Sequence, residues 1–148
     1  AEGNDRTQHR LSALSDQDFG IAFTFVEVTH SMAGGFDGIG QICERHPEVT
    51  GALCFSDIIA HGALHRLNAL GIDIPGAFSV MGIENLPGSE FTYPQLTSVR
   101  LRVERMGEMP SDASIAARST QTPPAPLSLP VELTPRGSTA PAPSEPAK

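Results

Sequence analysis

No apolar run in this chain of 148 residues approaches the roughly 20 needed to cross a bilayer, so no membrane span is expected. Basic residues are few: ten Lys and Arg stand against seventeen Asp and Glu, giving a net charge of −7. They form no cluster, so the chain lacks the electrostatic footprint by which proteins neutralise nucleic-acid phosphates. Only two cysteines occur, Cys43 in a predicted helix and Cys54 in a predicted buried strand. Buried free thiols follow rather than a disulfide staple, which fits a reducing cytoplasm. The chain starts at Ala1 with no charged-then-apolar signal segment, and we read it as a fragment of a longer protein. There is no internal repeat.

Missing motifs narrow the chemistry further. No G-x-S-x-G elbow, Walker loop or Cys-x-x-Cys pair is present, and no nucleophile–base–orienter set can be assembled. His61 and His65 stand one helical turn apart, but Gly62 replaces the glutamate of H-E-x-x-H and no third ligand is evident. They read as surface or interface histidines, and no metal or cofactor is implied. Gly35, Gly38 and Gly40 invite a dinucleotide reading, and a Rossmann-type oxidoreductase is the enzyme alternative. Their order differs from G-x-G-x-x-G, and Gly38 and Gly40 fall inside a helix pattern. The chain is therefore expected not to be an enzyme.

What is present is an α/β alternation around residues 50–64. A short apolar run, Ala52-Leu53-Cys54-Phe55, meets Ser56 and Asp57, and an apolar helical stripe begins at once: Ala60, Ala63, Leu64, Leu67 and Leu70, closed by Gly71. That is how a buried parallel strand meets the helix that covers it. Asp57 is expected to cap this helix. Ser56 and Asp57 also lie at the carboxyl end of a strand, where open α/β sheets bind ligands. Upstream, a thin-faced helix from Asn4 carries Arg10, a surface arginine on residue type alone, and residues 21–28 read as a strand. A second helix, 31–46, holds Gly34, Gly35, Gly38 and Gly40, each costing about 1 kcal/mol against alanine. Only close packing on a sheet or helix offsets that. Strands follow at 78–83 and 96–99, a helix from Arg102 broken at Pro110, and one short strand near 129–133. Nine of the thirteen prolines lie from Pro110 onward. We expect one partial domain over 1–139, irregular at 110–127, and a disordered tail over 140–148.

The series Asn4-Asp5-Arg6 with Arg10-Leu11, Gly35-Phe36, Leu53 to Asp57 with Gly62-Ala63-Leu64, and Gly71-Ile72-x-Ile74-Pro75 resembles the effector-binding domain of the LacI/GalR bacterial regulators. The resemblance continues in order through Phe78-Ser79-Val80-Met81-Gly82, Pro94-x-Leu96-Thr97-Ser98-Val99-Arg100 and Leu129 to Leu133, ending in Arg136-Gly137-Ser138-Thr139. It implies a type I periplasmic-binding-protein-like α/β fold, with this chain forming mainly the C-terminal Rossmann-like lobe and its parallel sheet. It also implies a cytoplasmic homodimer that binds a small sugar-like or nucleoside-like effector. Operator DNA would be bound only through an N-terminal helix-turn-helix outside this chain.

Position by position, the resemblance places effector contacts at Arg10, His30, Ser56 and Glu84, and a dimer interface at His61, His65, Phe91 and Thr92. The chain departs from its relatives in carrying Ser56 for an asparagine, Glu84 for an aspartate and His30 for a larger aromatic platform. A periplasmic sugar-binding transport protein shares the fold class and is the main alternative, though it usually lacks the Arg-Gly-Ser-Thr ending.

Overall fold

The computed structural model describes Ser12, residues 20–101 and residues 130–142. The expected helix around Arg10, the helix from Arg102, the proline-rich stretch and most of the tail lie outside the described residues.

Helix α1 spans Met32–Arg45. Ser31 caps it, accepting from the Gly34 amide at 3.0 Å, and it ends at His46, where Pro47 disfavours helical backbone in the preceding residue. Strand β1, Gly51–Leu53, leads into helix α2, Asp57–Ala69, which closes on Leu70 and Gly71, the glycine at φ +71°. Strand β2, Ser79–Ile83, then feeds a single 3-10 turn, Pro87–Glu90, and strand β3, Thr97–Leu101. Strand β4 is Val131–Thr134.

The sheet runs in the order β1-β2-β3-β4, with the first three strands parallel and β4 antiparallel to β3. Parallel neighbours need a long crossover, usually a helix. Here α2 serves that purpose between β1 and β2, whereas β2 reaches β3 through an almost helix-free loop.

The core gathers Ile39 from α1, Ala60, Ala63, Leu64 and Leu67 from α2, and Cys54, Phe78, Val80 and Leu96 from around the sheet. The expected stripe of α2 holds up to Leu67, but Leu70 is 47 % exposed, because the helix has already turned into its cap. Burial pushes the Cys54 thiol up to about 12, with the nearby Asp57 charge adding to it, so Cys54 is a packed, un-ionised thiol.

The glycines of α1 do what their helix cost requires. A Cβ on Gly35 would strike the Ile59 carbonyl of α2, and one on Gly62 of α2 would strike the Met32 carbonyl of α1. The two helices therefore meet backbone to backbone through reciprocal glycines. Gly38 is covered instead by a side chain, that of Val28.

Residues 21–28 are not a strand. They approach α1 through Val28 but enter no ladder, since the sheet begins at β1 and the pairings of β1 are all to β2. β propensity alone does not make a strand, and among the described residues this segment joins no ladder.

Candidate functional site

The carboxyl ends of β1 and β2 bring two of the expected effector contacts together. Ser56 is buried, and its hydroxyl donates to the Glu84 carboxylate at 2.9 Å. The same oxygen accepts the Ile58 amide at 3.3 Å, so Ser56, not Asp57, caps α2. Asp57 was expected in that role. It stands instead at the first helical position, because both of its oxygens are engaged elsewhere.

Those engagements make Asp57 a hub. One carboxylate oxygen accepts the Leu86 amide at 2.8 Å and the Ser89 hydroxyl at 2.6 Å; the other accepts the Ser98 hydroxyl at 2.6 Å. Asp57 is fully buried, and an ionised carboxylate is acceptor-only, so three donors suit it. Gly82 lies against it, where a Cβ would meet the carboxylate itself. Ser98 passes the restraint on by accepting the Asn85 amide at 3.0 Å. The loop from β2 to β3 is thus tied at Asn85, Leu86 and Ser89 to one buried side chain.

Ser89 links this hub to the exposed side of α2. The ring Nε2 of His61 lies 3.1 Å from the Ser89 oxygen. Ser89 has a single proton and gives it to Asp57, so His61 donates through Nε2–H. Of the other residues expected at a dimer face, His65 and Phe91 are exposed, Phe91 at 81 % beside Tyr93 at 88 %. The Thr92 hydroxyl is turned inward, toward the Ser89 and Pro94 carbonyls, and shapes the loop. A shallow groove of about 250 Å³ runs past Met32, Ala33, Phe36, Asp37, Gly62 and His65 between the two helices.

The backbone at the site is unusual. Glu84 has φ +115° and Asn85 φ +53°, a region that L-residues rarely enter and that concentrates at functional positions. Arg136, from the chain after β4, grips this turn. Its guanidinium donates to the Asn85 side-chain oxygen at 2.7 Å and to the Leu96 carbonyl at 2.6 Å, while its amide donates to Thr97 Oγ1 at 2.9 Å. Ser138 then binds across the sheet, donating to the Val80 carbonyl at 2.6 Å and accepting the Thr97 amide at 2.8 Å.

His30 is exposed just before α1, and no hydrogen bond among the described residues joins it to Ser56 or Glu84. Arg10 lies outside the described residues. Residue-by-residue reading missed Ser89, Ser98 and Arg136. One usable signal was that Ser98 falls in a strand read as part of a parallel sheet, buried on both faces, where a hydroxyl demands a partner. No group of three or more His, Cys, Asp or Glu able to hold a metal occurs among the described residues. None of their helices is long and apolar enough to cross a membrane.

A parallel sheet with polar side chains converging at the carboxyl ends of adjacent strands is the architecture of a ligand-binding α/β lobe. Residues 9–139 match the periplasmic binding protein-like domain, and the chain belongs to that family in the form carried by LacI/GalR regulators. It is 31 % identical over 121 residues to the HTH-type transcriptional regulator GalR of Escherichia coli, covering 78 % of this chain and 34 % of that protein. With the HTH-type transcriptional regulator MalR of Streptomyces coelicolor it shares 37 % identity over 117 residues, 78 % of this chain and 33 % of MalR. The chain therefore spans about a third of the length of these relatives.

Among solved structures, a LacI-family regulator from Enterococcus faecalis with bound ribose superposes with a TM-score of 0.76 at 26 % identity, over 91 % of this chain and 50 % of that one. A LacI-family regulator from Arthrobacter in complex with lactose gives 0.69 at 25 %, over 90 % and 48 %. These relatives are regulators; neither a transport protein nor an oxidoreductase is favoured, and Gly38 and Gly40 sit inside α1 rather than at a strand–helix turn.

Proposed function

We propose that this chain senses a sugar-like or nucleoside-like effector for a LacI/GalR-type transcriptional regulator. A helix-turn-helix elsewhere in the whole protein binds operator DNA, and this chain performs no catalysis. The observation that carries the reading is the Ser56–Glu84 pair at adjacent strand ends. The serine proton is spent on one carboxylate oxygen, which leaves the other Glu84 oxygen to accept from a ligand hydroxyl. On the family placement, Arg10 completes the set as a donor and His30 as a flanking side chain. The whole regulator acts in the cytoplasm, in keeping with two unpaired cysteines.

A charge-assisted hydrogen bond is worth about 1.5–3 kcal/mol, and a factor of ten in affinity is about 1.4 kcal/mol. Glu84→Ala is accordingly expected to weaken effector binding about tenfold or more with folding intact. Calorimetric titration of parent and variant with D-ribose, lactose and a wider sugar panel measures this. Parent-like affinity in the variant removes Glu84 from the site; no binding of any sugar by the parent removes the sugar reading.

Self-association belongs to the same proposal. The exposed face of α2 with His61 and His65, together with the loop at Phe91, Thr92 and Tyr93, presents apolar and aromatic surface suited to an isologous contact between two copies. Because His61 is engaged with Ser89, Phe91 is the cleaner probe. Phe91→Asp is expected to shift the protein toward monomer in sedimentation velocity. A dimer of unchanged strength in the variant excludes this face.

A further inference from the structure

We infer that Arg136 is a positioning residue for Glu84: it holds the Glu84–Asn85 turn in the conformation that sets the Glu84 carboxylate against Ser56. The inference rests on the reading of Glu84 as a ligand contact and adds the residue that orients it. Glu84, at φ +115°, sits in backbone that a non-glycine residue rarely enters, and it is followed by Asn85 in the left-handed region, so the pair calls for restraint from outside the turn. Two restraints do so. From the α2 side, Asp57 holds the Leu86 amide directly and the Asn85 amide through Ser98. From the opposite end of the chain, Arg136 holds the Asn85 side chain at 2.7 Å.

Arg136 is itself well anchored. Its second guanidinium nitrogen is fixed on the Leu96 carbonyl and its amide on Thr97, while the following Ser138 is buried between β2 and β3. The guanidinium is planar with its donors at fixed angles, so anchoring one nitrogen fixes where the other points. A lysine on the same backbone has no such fork. Arg136 stands 51 residues from the side chain it grips and makes no hydrogen bond with Glu84 or Ser56. It acts on the ligand position only by way of Asn85.

The test uses the 148-residue chain, parent and Arg136→Gln, in two arms. In amide hydrogen exchange, Asn85 and Leu86 are expected to exchange about tenfold faster in the variant, while Ala63 and Leu64 in the core follow only the change in global stability. In titrations with D-ribose and lactose, affinity for whichever sugar the parent binds is expected to fall about tenfold. Little further loss is expected when Arg136→Gln is added to Glu84→Gln, because two residues acting through one contact are not additive.

Unchanged exchange at Asn85 and Leu86, or losses that add in full in the double variant, overturns the inference. If the parent binds neither sugar, the exchange arm alone decides the positioning role, and the choice of sugar as ligand is what has failed. Should Arg136→Gln not fold, Asn85→Gly and Asn85→Asp replace it. The glycine keeps left-handed backbone but loses the acceptor and should reproduce the faster exchange. The aspartate keeps the acceptor and should match the parent; identical behaviour of the two overturns the inference.

Discussion

Asp57→Ala is expected to lower the unfolding free energy by about 3 kcal/mol or more, since each buried donor left without an acceptor costs about 1–3 kcal/mol. The carboxylate takes three donors, and each bond to a charged group is worth about 1.5–3 kcal/mol before relaxation. Relaxation recovers part of that. The Ser89 and Ser98 hydroxyls can rotate toward other acceptors, and the cost of burying the charge itself disappears with it. The Leu86 amide cannot rotate, and it loses its hydrogen-bond acceptor. Asp57→Asn keeps one carbonyl oxygen and should cost less than alanine. Urea denaturation of the three proteins reads the order directly. A loss under about 1 kcal/mol for the alanine variant, within the range of a single ordinary hydrogen bond, would show that the hub contributes little.

The second large effect is expected at Gly62. Helix propensity alone favours Gly62→Ala by about 1 kcal/mol, since Gly62 lies inside α2. Packing acts the other way. The new Cβ would meet the Met32 carbonyl and the Phe36 amide of α1, backbone atoms that cannot swing aside as a side chain can. Forcing atoms into a filled core costs about 1–3 kcal/mol and more when backbone must move, so a net loss of about 2 kcal/mol or greater follows. Gly51→Ala is the contrast. Its nearest neighbour would be the Ser79 carbonyl at 3.5 Å, an ordinary contact, and stability should change by less than about 0.5 kcal/mol. Thermal melts of the two variants give the comparison, and a stabilised Gly62→Ala would mean that α1 and α2 can separate at little cost.

Both effects show which parts of the molecule are legible in the sequence. Helix α2 is legible because its buried residues recur at helical spacing and a capping residue and a glycine bound it. The glycines of α1 are legible as a packing demand, since four of them in one helix need a reason, though nothing in the string says which helix they meet. The cap of α2 was misplaced by one residue for an instructive reason. Serine and aspartate both cap well, and the choice was made by donors 29 to 41 positions away that claim the aspartate. Residues 21–28 failed as a strand because β propensity names a preference and not a partner.

The site divides in the same way. Placing Ser56 and Glu84 together came from their positions at the ends of successive strands, which pattern and family resemblance supply. The left-handed turn and the Arg136 grip did not, since Asn85 and Arg136 are 51 residues apart and each looks like an ordinary surface residue alone.

The β2–β3 crossover has a consequence for how such a protein diversifies. Its backbone is held by Asp57, Ser98 and Arg136, acting on the amides of Asn85 and Leu86, the Ser89 hydroxyl and the Asn85 side chain. Apart from the amide of residue 84, which pairs with Val99, none of these restraints uses anything that residue 84 contributes. Beyond its bond from Ser56, the side chain at 84 is therefore not part of what holds the frame, and it can change within the types that its φ of +115° admits. If Glu84 contacts the effector as proposed, exchange there alters what the lobe recognises while the frame of the loop is inherited, so a lineage can change its chemical signal without first surviving a loss of fold.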